Sequence, residues 1–435
     1  MLTDLCPFTR LQADRVAVPP DTCDRFAFFS SLQTASVDWD AAAPPDDVFL
    51  SRAYLAALED SPPPGLRLGY LVFYHGDVPA GVALLQWMRF DGRAQLRYWD
   101  EKAKNSDPWA RLWAQGRRIM ASCISGEVLV CGNLLMTGGH GFYFSPKYLS
   151  VEKATALLLS ALEAMAQGTY PRVSATLVKD VHPACNAERE GLAQAEYAAF
   201  SIQPNMTLAL PYRSWEDYLA AMVTKYRTRA KRAFKKAADL ERRRLSLFEI
   251  QQALPRLHAL YASVAQHSGF HWVTLNETYL LALQRYLGER FHLIGWYRDN
   301  QLVGFHTAIE NGTELEAHFL GYEDAANTAH QLYLNMLYDL VRMGIERGCS
   351  RVVFGRTALE IKSSIGAQPQ DLPIYLRLQS PLWRRFCHPL LRYLNPAEPW
   401  VPRHPFKHAQ PQPCGQLLGC EVGAAEDANS KLGAH

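Results

Sequence analysis

The chain has 435 residues, 48% hydrophobic and 20% charged, with 45 Lys or Arg against 43 Asp or Glu, a balance that excludes a disordered or fibrous chain and leaves room for two or three globular domains. No stretch approaches the roughly 20 consecutive apolar residues of a membrane span, and the N-terminal region lacks the basic-then-apolar order of a signal peptide, so a cytoplasmic location is the expectation. Nine cysteines without a Cys-x-x-Cys pair speak against both a disulfide framework and a zinc knuckle, and no metal is expected.

In the first half, apolar spacing predicts a helix near 47–59, strands near 67–74, 79–90 and 94–99, a larger insertion near 100–130 and a helix near 151–167. The glycine cluster Gly138-Gly-His-Gly141 precedes that long helix, as either an anion-binding loop or a tight turn without a ligand. Ser214 and Asp217 form a capping box for a connecting helix of about seven turns, with Leu219, Met222, Tyr226, Ala230, Ala233, Ala237 and Leu240 along its apolar seam.

Charge is concentrated on that helix. From Lys225 to Arg244 there are ten Lys or Arg and two acids, a net +8 that leaves −6 for the rest of the chain. Lys225, Arg229, Arg232 and Lys236 share a face, which suits either solvent or a polyanion such as tRNA.

In the second half, alternation at Leu245, Leu247, Phe248 and Ile250 predicts a strand. Helices follow near 251–267 and 274–287, then strands near 291–298, 301–310 and 313–320, and a long helix near 328–347 closed by Gly348. A strand at Arg351–Phe354, a helix near 358–364 and a strand near 373–378 complete the order. The stretch Trp383–Tyr393 mixes basic and apolar residues as a membrane-surface segment does, although Pro389 interrupts it. Prolines 396, 399, 402 and 405 predict an extended rather than packed tail.

The two halves repeat. Ala-Tyr-Leu-Ala-Ala-Leu at 53–58 matches Thr-Tyr-Leu-Leu-Ala-Leu at 278–283, an offset of 225, and the hairpin beginning at Tyr74 matches that at Tyr297, an offset of 223. The expected architecture is an α/β protein with mixed sheets: one unit over 1–212, a second over 213–395 opened by the basic helix, and a Pro-rich tail over 396–435.

The element order of the second half resembles the GNAT (acyl-CoA N-acyltransferase) superfamily, and the tandem arrangement is similar to its Fem-type branch, the peptidoglycan-bridge aminoacyl transferases. The likeness is carried by Lys225-Tyr-Arg-Thr-Arg-Ala-Lys-Arg-Ala-Phe-Lys-Lys, by His318-Phe-Leu-Gly-Tyr322, and by Phe354-Gly-Arg-Thr followed by Glu360-Ile-Lys-Ser-Ser-Ile-Gly-Ala367. It spans residues 213 to 380 most closely and extends over 45 to 210. One departure concerns the donor: Gly321-Tyr-Glu-Asp-Ala-Ala-Asn-Thr-Ala-His330 has one glycine and two acids where GNAT enzymes hold the coenzyme A pyrophosphate.

The resemblance implies transfer of an acyl group from acyl-CoA to a small-molecule or peptide amine. The alternatives are Fem-type peptidyl transfer from aminoacyl-tRNA, or a non-catalytic GNAT-fold scaffold. Such a reaction needs a base for the ammonium proton, and Glu314, Glu316 and His318 share one face of a strand. Glu316 or His318 is the candidate base, with His306 as orienting partner in one of the two registers that the Asn311-Gly312 turn allows. Arg356 and Lys362 are candidates to hold an anionic substrate group. Tyr322, and Trp272 at the end of the Ser268–Trp272 aromatic segment, are candidate substrate contacts.

Overall fold

The computed structural model describes residues 24–91, 125–169, 172–182, 185–267, 272–384 and 400–408. The strand expected near 94–99, most of the 100–130 insertion, Ser268 to His271 and most of the Trp383–Tyr393 segment lie outside them.

The first unit contains β1 (Asp24–Phe29), α1 (Leu32–Ala42), a 3-10 turn (Val48–Leu50), α2 (Arg52–Asp60), β2 (Arg67–His75) and β3 (Val78–Phe90). It continues with β4 (Gly126–Cys131), β5 (Phe142–Phe144), α3 (Val151–Gly168), β6 (Val173–Val178), α4 (Asn186–Gln194) and β7 (Ala198–Phe200). Its last strand is β8 (Asn205–Ala209), after which α5 (Trp215–Ala221) and α6 (Thr224–Lys236) open the second unit.

The second unit holds β9 (Glu241–Arg244), α7 (Leu247–His267), α8 (Tyr279–Leu287), β10 (Phe291–Arg298), β11 (Gln301–Asn311) and β12 (Glu314–Tyr322). It ends with α9 (Asp324–His330), α10 (Leu332–Glu346), β13 (Arg351–Gly355), α11 (Leu359–Ser364), β14 (Gln368–Gln370), β15 (Ile374–Leu378) and α12 (Pro381–Arg384).

The sheets do not divide where the chain halves do. One runs β1-β2-β3-β4-β6-β15-β7 with β5 beside β3, and the other β14-β8-β13-β12-β11-β10-β9. Each unit lends its last strand to the other: β15 enters the first sheet between β6 and β7, and β8 enters the second between β13 and β14. A boundary at 212 therefore separates the chain halves but not the sheets. One core is also shared, with Trp39, Tyr54 and Tyr70 of the first unit in the same cluster as Leu257, Tyr279 and Phe305 of the second.

Four local expectations change. The connecting helix breaks at Met222–Val223, because Val223 N–H donates to Pro405 O (2.8 Å) and Lys407 N–H to Ala221 O (3.1 Å) of the tail. The described part of the tail, residues 400–408, packs where an unpacked one was expected, with Phe406 seated against Tyr212 and Tyr218. The strand expected at 245–250 lies earlier, at Glu241–Arg244, and the apolar residues after it open α7 instead. The long helix is split at Gln331, which has φ +50°. Asn335 gathers the freed carbonyls there, donating to His330 O, Gln331 O and Ala233 O of α6 at 2.9–3.1 Å.

Candidate active site

The β11–β12 hairpin decides which ionisable groups meet. Asn311 pairs with Glu314 across a two-residue turn in which Gly312 has φ +55°, so Glu316 lies opposite Ile309. His306 therefore occupies the other face, and the register in which it would orient Glu316 does not occur. There it is fully buried, accepts from Trp296 Nε1–H (3.1 Å) and lies 3.1 Å from Asp339 Oδ2 on α10.

Further along, β12 takes three residues from Ala317 to Leu320 where β11 takes two from Ala308 to His306. Thr307 fills this bulge, with its hydroxyl donating to Phe319 O and accepting from Phe319 N–H, both at 2.8 Å. β12 runs parallel to β13 only over Glu314–Glu316 against Arg351–Val353. The sheet thus parts immediately after Glu316.

Glu314, Glu316 and His318 do share a face, and the first unit covers it. Glu314 pairs with Arg351 at 2.5 Å. Glu316 is 2% exposed, and its Oε1 lies 3.9 Å from His140 Nε2. Burial pushes the Glu316 carboxyl up to about 8, against the lowering influence of the His140 charge. Burial alone would lower His140; the charge and hydrogen bond of Asp47, whose Oδ2 lies 2.8 Å from Nδ1, outweigh it together with Glu316 and Glu314 and raise the imidazole to about 9. His318 differs, because burial without a nearby carboxylate lowers it to about 3. Its neutral ring sits between the Tyr279 hydroxyl (3.0 Å) and Met136 Sδ (2.8 Å).

The other predicted residues divide. Arg356, on the loop after β13, pairs with Asp180 of the first unit, donates to Leu372 O (3.0 Å) and borders the same seam. Lys179 pairs with Asp180 as well. Lys362 is not aimed at a substrate: its buried ammonium donates to Phe354 O (2.8 Å), Gly355 O (3.2 Å) and Arg356 O (2.6 Å), and burial lowers it to about 7. It holds a loop in which Thr357 (φ +71°) and Ala358 (φ +48°) are left-handed. Tyr322 lies on the α10 side beside Tyr333, and Trp272 packs edge-on against Phe90 of the first sheet, so neither joins Glu316. Asp47 and His140 were missed in the sequence. The glycine cluster around His140 was the signal, although by itself it reads as an anion loop or a tight turn without a ligand.

The expected anion site before the long helix is acidic in structure too. Glu323 stands at the N-terminus of α9, Asp324 is in its first turn, and Glu323 pairs with Arg256. Among the described residues no group of three or more His, Cys, Asp or Glu is placed to hold a metal, and no helix is long and apolar enough to cross a membrane.

Residues 224–363 match a family model described as an acetyltransferase (GNAT) domain. No curated protein matches the sequence significantly. Among solved structures the chain is similar to FemX, with a TM-score of 0.51 and 11% identity over 82% of this chain and 98% of that one. A tandem GNAT protein from the clavulanic acid biosynthesis pathway matches at 0.47 and 11% identity over 82% of this chain and 99% of that one. L-PGS from Bacillus licheniformis matches at 0.43 and 11% identity over 79% and 95%. Residues 224–363 therefore carry a GNAT acetyltransferase domain, and the chain shares the fold of FemX across both units.

Proposed function

We propose that the second unit transfers an acyl group to an amine with Glu316 as general base. The observation that carries this reading is a buried carboxyl held near neutrality on β12 at the point where β12 and β13 separate. The amine nitrogen attacks the acyl carbonyl, the C–N bond forms, the bond to the donor's leaving group breaks, and the proton lost by nitrogen passes to Glu316. His318 stays a neutral hydrogen-bonding group rather than a proton acceptor. Arg356, whose Nε and Nη1 have no hydrogen-bond partner among the described residues, is the cation we assign to an anionic substrate group.

Acyl-CoA is the first donor, supported by the GNAT acetyltransferase match over 224–363. Aminoacyl-tRNA is the second, favoured by one observation. Lys225, Arg229, Lys231, Arg232, Lys235 and Lys236 on α6 are exposed, and none has a carboxylate within 4.0 Å among the described residues.

Two measurements on the full chain separate the readings. Thermal stabilisation by acetyl-CoA without tRNA binding supports the first donor. Binding of tRNA that weakens steeply with salt and is lost in Lys225→Glu/Arg229→Glu supports the second. Neither response would leave a GNAT-fold scaffold without a transferred group.

A further inference from the structure

We propose that His140, carried by the first unit, is a positioning residue for Glu316 of the second, so that the transfer centre is complete only where the two units meet. This deepens the general-base reading above and rests on it.

The geometry is a line of three groups. Asp47 Oδ2 lies 2.8 Å from His140 Nδ1, and His140 Nε2 lies 3.9 Å from Glu316 Oε1. Asp47 is itself fixed, because its other oxygen accepts from Phe49 N–H (3.0 Å) at the start of the 3-10 turn. Val48 N–H of that turn donates to Asn311 Oδ1 (2.7 Å), at the foot of the hairpin whose second strand carries Glu316. The carboxylate that orients the imidazole is thereby tied to the strand the imidazole faces. The logic is that of any acid–imidazole pair: a carboxylate on one ring nitrogen stabilises the imidazolium and fixes the direction in which its other N–H points.

The glycine cluster gains a purpose in this arrangement. At Gly138 (φ +139°) a Cβ would stand 2.5 Å from His140 Nε2, and at Gly141 a Cβ would stand 2.8 Å from the Gly132 backbone. Both glycines clear space for the ring and its loop, and the ring rests on Phe49 with centroids 4.6 Å apart. The loop is a mount for an imidazole rather than a cradle for a phosphate.

Charge accounting selects His140 as the partner. The charged groups acting on Glu316 are His140, Glu314, Arg351 and Asp47. Two of these are cations, His140 and Arg351, and Arg351 is engaged by Glu314 at 2.5 Å. That leaves the imidazolium to offset an ionised Glu316, which a buried seam could not otherwise hold. During transfer, Glu316 starts as a carboxylate and ends protonated by the amine, and His140 keeps its proton throughout.

The test uses the full chain labelled with carbon-13 at the Glu side-chain carboxyl, with the Glu316 signal identified by its loss in Glu316→Gln. In His140→Gln the Glu316 titration midpoint should rise by about one pH unit or more. Asp47→Asn should move it in the same direction by less, and serves alone if His140→Gln does not fold. An unmoved midpoint in both variants overturns the proposal. In a turnover assay the acidic limb of the pH–rate profile should move with the midpoint while the donor KM holds, and a stationary limb also overturns it. Full activity in Glu316→Gln would instead sink the general-base reading, and the titration would still report whether the two groups are coupled.

Discussion

Tyr54 and Tyr279 stand 225 residues apart at the same place in the two copies of the repeat, and their hydroxyls meet at 3.3 Å in the shared core. The chain of hydrogen bonds extends at both ends, with Asn133 Nδ2–H donating to Tyr54 (3.0 Å) and His318 Nε2 lying 3.0 Å from Tyr279. Burial pushes Tyr54 up to about 12 and raises Tyr279 well above its ordinary value, so both stay neutral hydrogen-bonding groups. Tyr279→Phe removes the hydroxyl beside His318 Nε2 and leaves Tyr54 with Asn133 alone, and should cost about 1–3 kcal/mol. In a denaturant double-mutant cycle with Tyr54→Phe, the pair should cost less than the sum of the singles; strict additivity would show that the hydroxyls are not coupled.

His318 should make the protein acid-sensitive. Its folded value of about 3 lies below the ordinary 6.5, so as pH falls the unfolded chain takes up the proton first. The contribution is complete above 6.5 and is lost on acidification toward 3, at up to roughly 1.4 kcal/mol per pH unit. Stability curves for wild type and His318→Gln should run parallel above 6.5 and diverge below it. Parallel curves throughout would contradict the burial argument.

Glu316 acts with the opposite sign. Its folded value of about 8 lies above the ordinary 4.5, so its contribution is complete below 4.5 and is lost as pH rises through about 8. Glu316→Gln should remove that alkaline loss from the denaturation profile. With acyl donor and amine the same variant should turn over roughly 10²–10⁴-fold more slowly, with donor binding preserved.

The loop after β13 stores strain that can be relieved. Ala358 is exposed at φ +48°, where only glycine is at ease, so Ala358→Gly should raise stability by about 0.5–1 kcal/mol. Lys362→Met leaves three carbonyls without their ammonium and should cost about 2–3 kcal/mol. Thermal melts of the two variants moving in the same direction would refute this account of the loop.

The long elements were legible wherever one window of sequence held the whole signal. The strands at 291–298 and 301–311 and the Gly348 stop of the long helix, at φ +68°, fall where alternation and glycine chemistry place them. Breaks imposed from a distance were not legible. Nothing near Met222 announces that Pro405 will take the Val223 amide, and the seam of α5 and α6 reads as one helix until the tail is seen. The face shared by Glu314, Glu316 and His318 followed from period-two alternation, because the bulge falls after Ala317 and leaves His318 on the side of Tyr279.

By itself the sequence determined the element types, the tandem repeat and the concentration of charge on the helix from Thr224 to Lys236, since each is written in spacings of a few residues along one segment. Only the tertiary structure decided the exchange of β8 and β15, the burial of His306 away from Glu316, and the meeting of His140 with Glu316 across 176 positions. A strand's alternation is the same whichever sheet receives it, and a buried carboxyl acquires its partner from whichever loop the fold lays against it. Those outcomes depend on contacts between residues far apart in the chain, which local pattern does not encode.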